Sequence, residues 1–467
     1  MTMNRQYVSY KFIEINADML TPISIFQRLT GEKKFLLESS LPHEKKGKFS
    51  FIGSDPYEEI IGHEHETTFI SHLTNETKVV NENPLLFTEK HLPVLDPTIP
   101  VPFTGGAIGY IGYDTIDQFE TIGSRNDDPL QMPDVHLMLY RNFFVYNHKE
   151  ESVYCVVINP FDEPESVLDE RLQSLQDILK QQPKETGHLE ASDFQPELTK
   201  EAFEENVKKA KEYIHQGDIF QVVLSQRMQA TFDGDPFSFY RKLRKVNPSP
   251  YMFYVDFVDY VVLGASPESL LQTKGREIIT NPIAGTRPRG RNPEEDEALM
   301  KELLEDEKEI AEHRMLIDLG RNDLSKVSEI GSISIPTLMK IEKYEHVMHL
   351  VSEVSGTLAA DQTSIDALIS CLPAGTVSGA PKIRAMQIIQ ELEHKKRGTY
   401  AGGIGYIGFN RDLNMALAIR SLIIKENQAY LQAGAGIVYD SDPTKEYEET
   451  LHKARSLMEV NKIDFIN

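Results

Sequence analysis

The 467-residue chain has no tryptophan and only two cysteines, Cys155 and Cys371. Two thiols in neither a C-x-x-C pair nor a zinc-ligand spacing exclude a disulfide framework and a cysteine-built metal site. No apolar run approaches the roughly 20 residues that a membrane-crossing helix needs. The start, Met1-Thr-Met-Asn-Arg-Gln-Tyr7, lacks the basic-then-apolar layout of a secretory leader, so a cytoplasmic location is expected. Positive charge is also short: 49 Lys and Arg stand against 72 Asp and Glu, a formal net charge of −23. Nucleic acids and anionic membranes attract through clustered Lys and Arg, so neither is expected as a partner. An anionic ligand would need a site that locally inverts this field with a metal ion and a few placed cations.

Hydrophobic residues at 40% and charged residues at 26% describe a soluble globular chain, long enough for two domains. The polar stretch from Lys180 to Lys200 has Pro and Gly but no period, and reads as a linker between domains at 1–185 and 198–467. Before it, Val135 to Val145 and Ser152 to Ile158 are β-rich runs set off by turn residues. After it, Phe203, Val207, Ala210 and Ile214 recur at helical spacing from a Thr199 cap to a stop at Gly217. The apolar run Ile219 to Leu224 then predicts a central strand. Gly105 to Tyr113 and Gly402 to Phe409 echo each other, predicting a similar glycine-relieved strand in each half. The second copy matches G-x-G-x-x-G, but the residues after it, Phe409 to Ile424, predict a turn and a strand where a dinucleotide site needs a helix.

Four features carry candidate chemistry. Asn281 to Gly290 surrounds Thr286 with Gly, Pro and two arginines, Arg287 and Arg289, and predicts a loop that holds an anion. Glu309 with Glu312, and Glu446 with Glu449, stand at i, i+3 spacing, so each pair points from one helix face. Taken alone, each pair is ordinary for a solvated helix; taken together, the four carboxylates suit a hard oxygen-loving ion such as Mg2+. Gly434-Ala435-Gly436 offers backbone N–H groups that a carboxylate can approach without meeting a Cβ. Leu372 to Lys382 reads as a loop entering a helix, with Ser378 near the cap and Pro381 in the first turn.

Pro282 to Gly290 resembles the signature of chorismate-utilising enzymes, and Leu372 to Lys382, Glu309 to Asp318 and Lys445 to Ala454 are similar to further segments of that family. The resemblance implies an α+β fold: two large, mostly antiparallel β-sheets covered by helices. It implies that Glu309, Glu312, Glu446 and Glu449 bind or orient Mg2+. It places Ala284, Gly285, Thr286, Thr376, Tyr400, Arg420, Lys453 and a loop of Gly434, Ala435 and Gly436 around chorismate. Glu268 matches a general acid for the departing ring hydroxyl, which requires a carboxyl held protonated near neutrality. His349 matches a histidine beside the ring carbon that loses its proton. Thr286 is counted with these two as catalytic.

Two positions separate branches of the family. Aminodeoxychorismate-forming members have a nucleophilic lysine where Ala284 stands, and a methyl group is no nucleophile. Isochorismate- and salicylate-forming members have a water-activating lysine where Gln221 stands, and an amide is no base. External ammonia is left as the reactant, so the resemblance implies conversion of chorismate and ammonia to anthranilate and pyruvate. Neither cysteine lies in a Gly-x-Cys-x-Gly elbow, so a separate glutamine amidotransferase subunit is the expected ammonia source. Leu36 to Ser40 and Gly47 to Gly53, with Asn247 to Phe253, resemble a feedback site for tryptophan. Its implied residues are Leu37, Glu38, Ser39, Asn247, Pro248, Ser249, Pro250, Tyr251 and Met252, with Glu38 meeting the ammonium group and Pro250, Tyr251 and Met252 walling the indole. The competing readings are an aminodeoxychorismate-forming relative and a catalytically silent tryptophan sensor.

Overall fold

The computed structural model describes residues 9–39, 49–95, 99–185, 187–344 and 347–460. Among these residues lie two antiparallel sheets, one of 13 strands and one of 12. They face each other across aromatic residues: Phe103 and Tyr406 have ring centroids 5.0 Å apart, and Phe51 and Tyr406 5.6 Å. The outer side of the first sheet is closed by Phe26, Leu168, Phe237, Tyr240, Ala454 and Leu457, contributed by helices. Each sheet is therefore buried on the face that carries its apolar alternation.

The division at 186–197 is not a division of the sheets. Phe35–Glu38 pairs with Tyr251–Asp256 in the first sheet, and Gly106–Ile111 pairs with Gly403–Gly408 in the second. The two echoing glycine segments are thus neighbours, Gly109 opposite Gly405. A Cβ at Gly405 would come within 2.0 Å of Asn414 O, so the close approach of backbones at the centre of this sheet needs glycine. Gly403–Gly408 is followed by a turn and the strand Leu413–Leu417, as expected against a dinucleotide site. The stretch read as a linker holds two short strands, Leu189–Ala191 and Gln195–Pro196, both paired with the long strand Gln221–Gly234.

Local signals elsewhere act as their physics dictates. Lys200–His215 is a helix whose Thr199 side chain accepts from Ala202 N–H, with Phe203, Val207 and Ala210 buried at helical spacing. Pro381 is the cap residue of Lys382–Glu393 and not a member of its first turn, while the Ser378 hydroxyl donates to Ala374 O instead of capping. Pro288 ends a strand: Ile283–Pro288 pairs with Val347–Thr357, with a bulge between Ala284 and Thr286 at Gly285, φ +66°. The expected loop is therefore a bulged strand, because Ile283, Thr286 and the facing β-branched residues supply a ladder on which only Gly285 is irregular.

Candidate active site

The chain passes between the sheets at two adjacent crossovers. One joins Tyr260–Ser266 of the first sheet to Ser269–Lys274 of the second; the other joins Leu413–Leu417 of the second to Ser421–Lys425 of the first. They are tied together: Ala265 N–H donates to Arg420 O at 3.0 Å, Leu417 N–H to Glu268 O at 3.0 Å, and the Ser266 hydroxyl to Leu417 O at 2.7 Å. Glu268 and Arg420 sit on these crossovers, where the sheets part and side chains can turn into the gap. Arg420 has φ +49°, a left-handed conformation that a side chain other than glycine adopts at some cost.

Glu268 is 7% exposed and accepts a hydrogen bond from Thr376 Oγ1 at 2.9 Å. Burial pushes its carboxyl up to about 8, against the hydrogen bond from Thr376 and the nearby charges of Arg420 and Lys453. It is therefore a proton donor at neutral pH, as a general acid must be. It also lines a cleft with Thr280, Pro282, Asp323, Gly375 and Thr376.

The bulged strand places Ala284, Gly285 and Thr286 against Leu350 and His349 of the neighbouring strand. The Nδ1–H of His349 points at Gly285 O, 3.1 Å away, and Thr286 Oγ1 lies 3.0 Å from the same nitrogen. A carbonyl can only accept, so the proton sits on Nδ1 and the lone pair is left on Nε2. Burial pushes the imidazole down to about 4, so it is neutral at working pH and able to accept a proton. The ring of Tyr344 lies edge-on to it at 5.4 Å.

Gly434, Ala435 and Gly436 are not a loop. They lie in Gln428–Ile437, paired with Ser225, Leu224 and Val223. The other edge of that strand pairs with Ser421–Lys425 only as far as Leu431, so alternate N–H groups beyond it face the site unpaired by a strand. A Cβ at Gly434 would stand 2.8 Å from the Tyr400 hydroxyl, which explains glycine there. Lys453 Nζ reaches Gly434 O at 3.0 Å and Glu449 at 2.8 Å, so the helical i, i+4 ion pair forms as its spacing allows.

Arg287 and Arg289 do not hold an anion. Arg287 is taken by Glu302 and Asp306, at 2.9 and 2.8 Å, and lies 3.6 Å from Glu309. Arg289 is bound to both oxygens of Asp296, at 2.7 and 3.1 Å. The acidic helices Pro293–Glu305 and Glu307–Ser325 fold back on the strand and neutralise both guanidinium groups. The cations that remain near Glu268 are Arg420 and Lys453.

The two glutamate pairs lie on Glu307–Ser325 and Pro443–Met458. Among the described residues, no three acidic, histidine or cysteine side chains converge closely enough to hold a metal as they stand. The donor chemistry nevertheless fits a divalent cation. Burial and then Glu312 push the Glu309 carboxyl up, and Glu446 is raised by burial and by Glu449. The positive charge of Lys308 pulls both the Glu309 and the Glu446 carboxyls back down, so one cation already acts on both pairs. Glu312 also accepts from Gln221 Nε2 at 3.2 Å.

A second polar cluster lies on the far face of the first sheet. Glu38 pairs in register with Met252, and its Oε2 accepts from Tyr240 at 2.9 Å and from Arg244 at 2.7 Å. Its Oε1 and the Nδ2 of Asn247 are buried with no partner among the described residues, an acceptor and a donor both left open. Tyr251 departs from the expected wall and Leu37 from the expected pocket: adjacent strand residues point to opposite faces. Met252 joins the outer cluster, whereas Leu37 and Tyr251 pack toward the core between the sheets, where the Tyr251 hydroxyl accepts from Gln272. Ser39, Pro248, Ser249 and Pro250 flank the paired strands; Ser40, Gly47 and Lys48 of the expected motif lie outside the described residues.

Sequence reasoning passed over several residues. Tyr240 and Arg244 bind Glu38, and His148, whose Nε2 lies 2.7 Å from the Ser50 hydroxyl, is pushed down to about 4 by burial and then Arg244. Arg397 is buried with Glu393, donates to Val377 O and Val223 O at 2.8 Å each, and stacks on Tyr113 and Tyr400. It ties the turn bearing Thr376 to the strand bearing Gln221. The one available signal was an Arg three residues before Tyr400, which no periodicity marks.

Nearly the whole length of the chain resembles known proteins. The chorismate binding enzyme family matches residues 32–459. "Anthranilate synthase component 1" of Lactococcus lactis subsp. lactis (strain IL1403) is 45% identical over 460 residues, spanning 97% of this chain and all of that protein. The protein of the same name from Acetivibrio thermocellus is 44% identical over 467 residues, spanning 96% of this chain and 94% of that protein. The crystal structure of anthranilate synthase component I from Streptococcus pneumoniae TIGR4 superposes with TM-score 0.82 at 42% identity, covering 95% of this chain and 99% of that one. It carries the same two large antiparallel sheets with helices. The menaquinone-specific isochorismate synthase of Escherichia coli, at 19% identity and TM-score 0.73, shares the fold.

Proposed function

The chain belongs to the chorismate binding enzyme family, and from that premise we propose that it is the large component of an anthranilate synthase, converting chorismate and ammonia to anthranilate, pyruvate and water. The observation that carries this reading is Glu268, a buried carboxyl held at about 8 beside two cations. In the first stage it gives its proton to the departing ring hydroxyl, which leaves as water while ammonia bonds to the ring, making aminodeoxyisochorismate. Ammonia must come from outside, because Ala284 and Gln221 offer neither an amine nor a base. Arg420, Tyr400, Lys453 and the unpaired edge at Gly434 to Gly436 suit the substrate's carboxylates. In the second stage the free Nε2 of His349 accepts the ring proton as pyruvate is expelled, and aromatisation drives the step for so weak a base.

Mg2+, when bound by Glu309, Glu312, Glu446 and Glu449, would supply positive charge to a substrate carboxylate. A separate glutamine amidotransferase subunit is the proposed source of ammonia. Both cysteines of this chain are buried with thiols pushed up to about 12, far from the thiolate a glutaminase needs.

Mixing the purified chain with chorismate, Mg2+ and an ammonium salt should give anthranilate, identified by fluorescence and chromatography, and EDTA should stop it. Accumulation of aminodeoxychorismate or isochorismate would overturn the reading of positions 284 and 221. Tryptophan is the proposed inhibitor, its ammonium group meeting the open Oε1 of Glu38 and its indole lying beside Met252. Glu38→Gln should raise the tryptophan concentration for half-inhibition by about tenfold or more, the order expected when a buried charged hydrogen bond of about 1.5–3 kcal/mol is lost. The uninhibited rate should change less than about twofold. An unchanged inhibition curve would remove Glu38 from the site.

A further inference from the structure

Arg397 is 2% exposed and divides its guanidinium among three partners. Nε and Nη2 hold the two oxygens of Glu393, at 2.8 and 2.6 Å. Nη1 donates to Val377 O and Nη2 also to Val223 O, each at 2.8 Å. The cation lies against two rings as well, 4.7 Å from the centroid of Tyr113 and 5.5 Å from that of Tyr400. A planar fork with its N–H groups in fixed directions can serve all of these at once, and an ammonium group cannot. A buried ion pair is by itself weak evidence for stability, so the two carbonyls are the more telling partners.

Val377 closes the short turn Gly375–Val377, and the residue before it, Thr376, donates to Glu268 Oε1 at 2.9 Å. The turn keeps its own shape through Val377 N–H and the Ser378 hydroxyl, which both donate to Ala374 O. Beyond it, Val223 N–H donates to Ser378 O at 2.9 Å, and Gly379 and Ala380 pair with Val222 and Gln221. The turn thus hangs from its C-terminal end, and the bond from Arg397 to Val377 O fixes its tilt. We propose that Arg397 is a positioning residue for the general acid: by holding the Val377 carbonyl it sets Thr376 against Glu268, so that the carboxyl faces the departing ring hydroxyl. This role rests on the reaction proposed above. The charge of Arg397 is cancelled by Glu393, so its effect on Glu268 runs through Thr376. The other charged groups facing Glu268 are Arg420, Lys453 and, in the same cleft, Asp323, which is paired with Lys382 at 2.8 Å.

Arg397→Lys keeps the charge beside Glu393 but cannot reach both carbonyls as well. Its kcat for anthranilate formation should fall on the order of tenfold to a hundredfold, the loss expected when a reacting group is displaced by about 1 Å. The hydrogen bond from Thr376 pulls the Glu268 carboxyl down against burial, so its loss lets the carboxyl rise further and moves the alkaline limb of the pH profile to higher pH. Arg397→Lys should move that limb as far as Thr376→Val does, and combining the two should move it no further. A residue that only supported the fold would lower Tm and leave the limb in place. A limb unmoved in either single variant, or shifts that add in the double variant, would overturn the proposal. Should Arg397→Lys not fold, Glu393→Gln combined with Arg397→Gln takes its place with the same expectations, because it removes both buried charges and keeps an acceptor for Ser225 N–H. A wild-type protein that makes no anthranilate would count against the reaction and not against Arg397. A crystal structure of the variant then decides: Thr376 Oγ1 moved beyond about 3.5 Å from Glu268 supports the positioning role, and an unmoved pair overturns it.

Discussion

Glu268→Gln should lower kcat by about two to four orders of magnitude, the span that a positioned general acid contributes, while leaving the fold intact. Glutamine keeps the shape and can still accept from Thr376, so the substitution removes the proton and little else. The KM for chorismate should move far less than kcat, because the proton is needed only as the hydroxyl departs. The pH profile gives a second readout. The folded carboxyl is raised from the ordinary carboxylate range to about 8, so the protonated, active form predominates at pH 7 and is lost as pH rises through about 8. Measured at constant free ammonia, the wild-type rate should fall about tenfold per pH unit above that point, and Glu268→Gln should lack this limb. A variant with near wild-type kcat would show that the hydroxyl leaves without help from this residue.

Several of the elements that carry the candidate residues were legible in the sequence, and the misreadings share a cause. Glu309 with Glu312 and Glu446 with Glu449 were readable because helical spacing is local, and the Thr199 cap and the strand at Gly403–Gly408 were readable for the same reason. Arg287 and Arg289 were misread because their partners, Asp296, Glu302 and Asp306, lie on or between the next two helices, and nothing local says that those helices fold back. Gly434 to Gly436 looked like a loop for its glycines, yet these serve close approach by the Tyr400 hydroxyl and Gln221 within a strand. Tyr251 and Met252 came to one pocket through the resemblance to a feedback site, although a strand sends neighbours to opposite faces. The crossovers that carry Glu268 and Arg420 were invisible, since a change of sheet is a long-range event that leaves only the short breaks Pro267-Glu268 and Ala418-Ile419-Arg420. The pairing of Phe35–Glu38 with Tyr251–Asp256 is of the same kind, and it puts the proposed regulatory residues directly on the sheet that carries the substrate site.

Glu446→Gln should have the other large effect, and its sign differs for activity and for stability. Glu446 and Glu449 repel each other from one helix face, and burial raises the Glu446 carboxyl further, so without a cation the pair opposes folding. Neutralising Glu446 removes that repulsion, and the metal-free variant should unfold at a temperature no lower than wild type. The gain from Mg2+ should disappear at the same time. A ligand that binds only the folded state stabilises by RT ln(1 + [L]/Kd), about 2.7 kcal/mol at a hundredfold excess over Kd, so wild type should melt higher with Mg2+ and the variant should not. Anthranilate formation in the variant should fall by on the order of a hundredfold or more at Mg2+ levels that saturate wild type, as expected when charge stabilisation worth several kcal/mol is withdrawn. A variant that is both less stable and less active without metal would point to a structural role for the carboxylate. Full activity with an unchanged response to Mg2+ would remove Glu446 from the metal set. Lys308 adds a control, because its positive charge acts on both Glu309 and Glu446 and pulls their carboxyls back down. Lys308→Met should therefore tighten Mg2+ binding while lowering stability in its absence, the reverse of the pattern expected for Glu446→Gln.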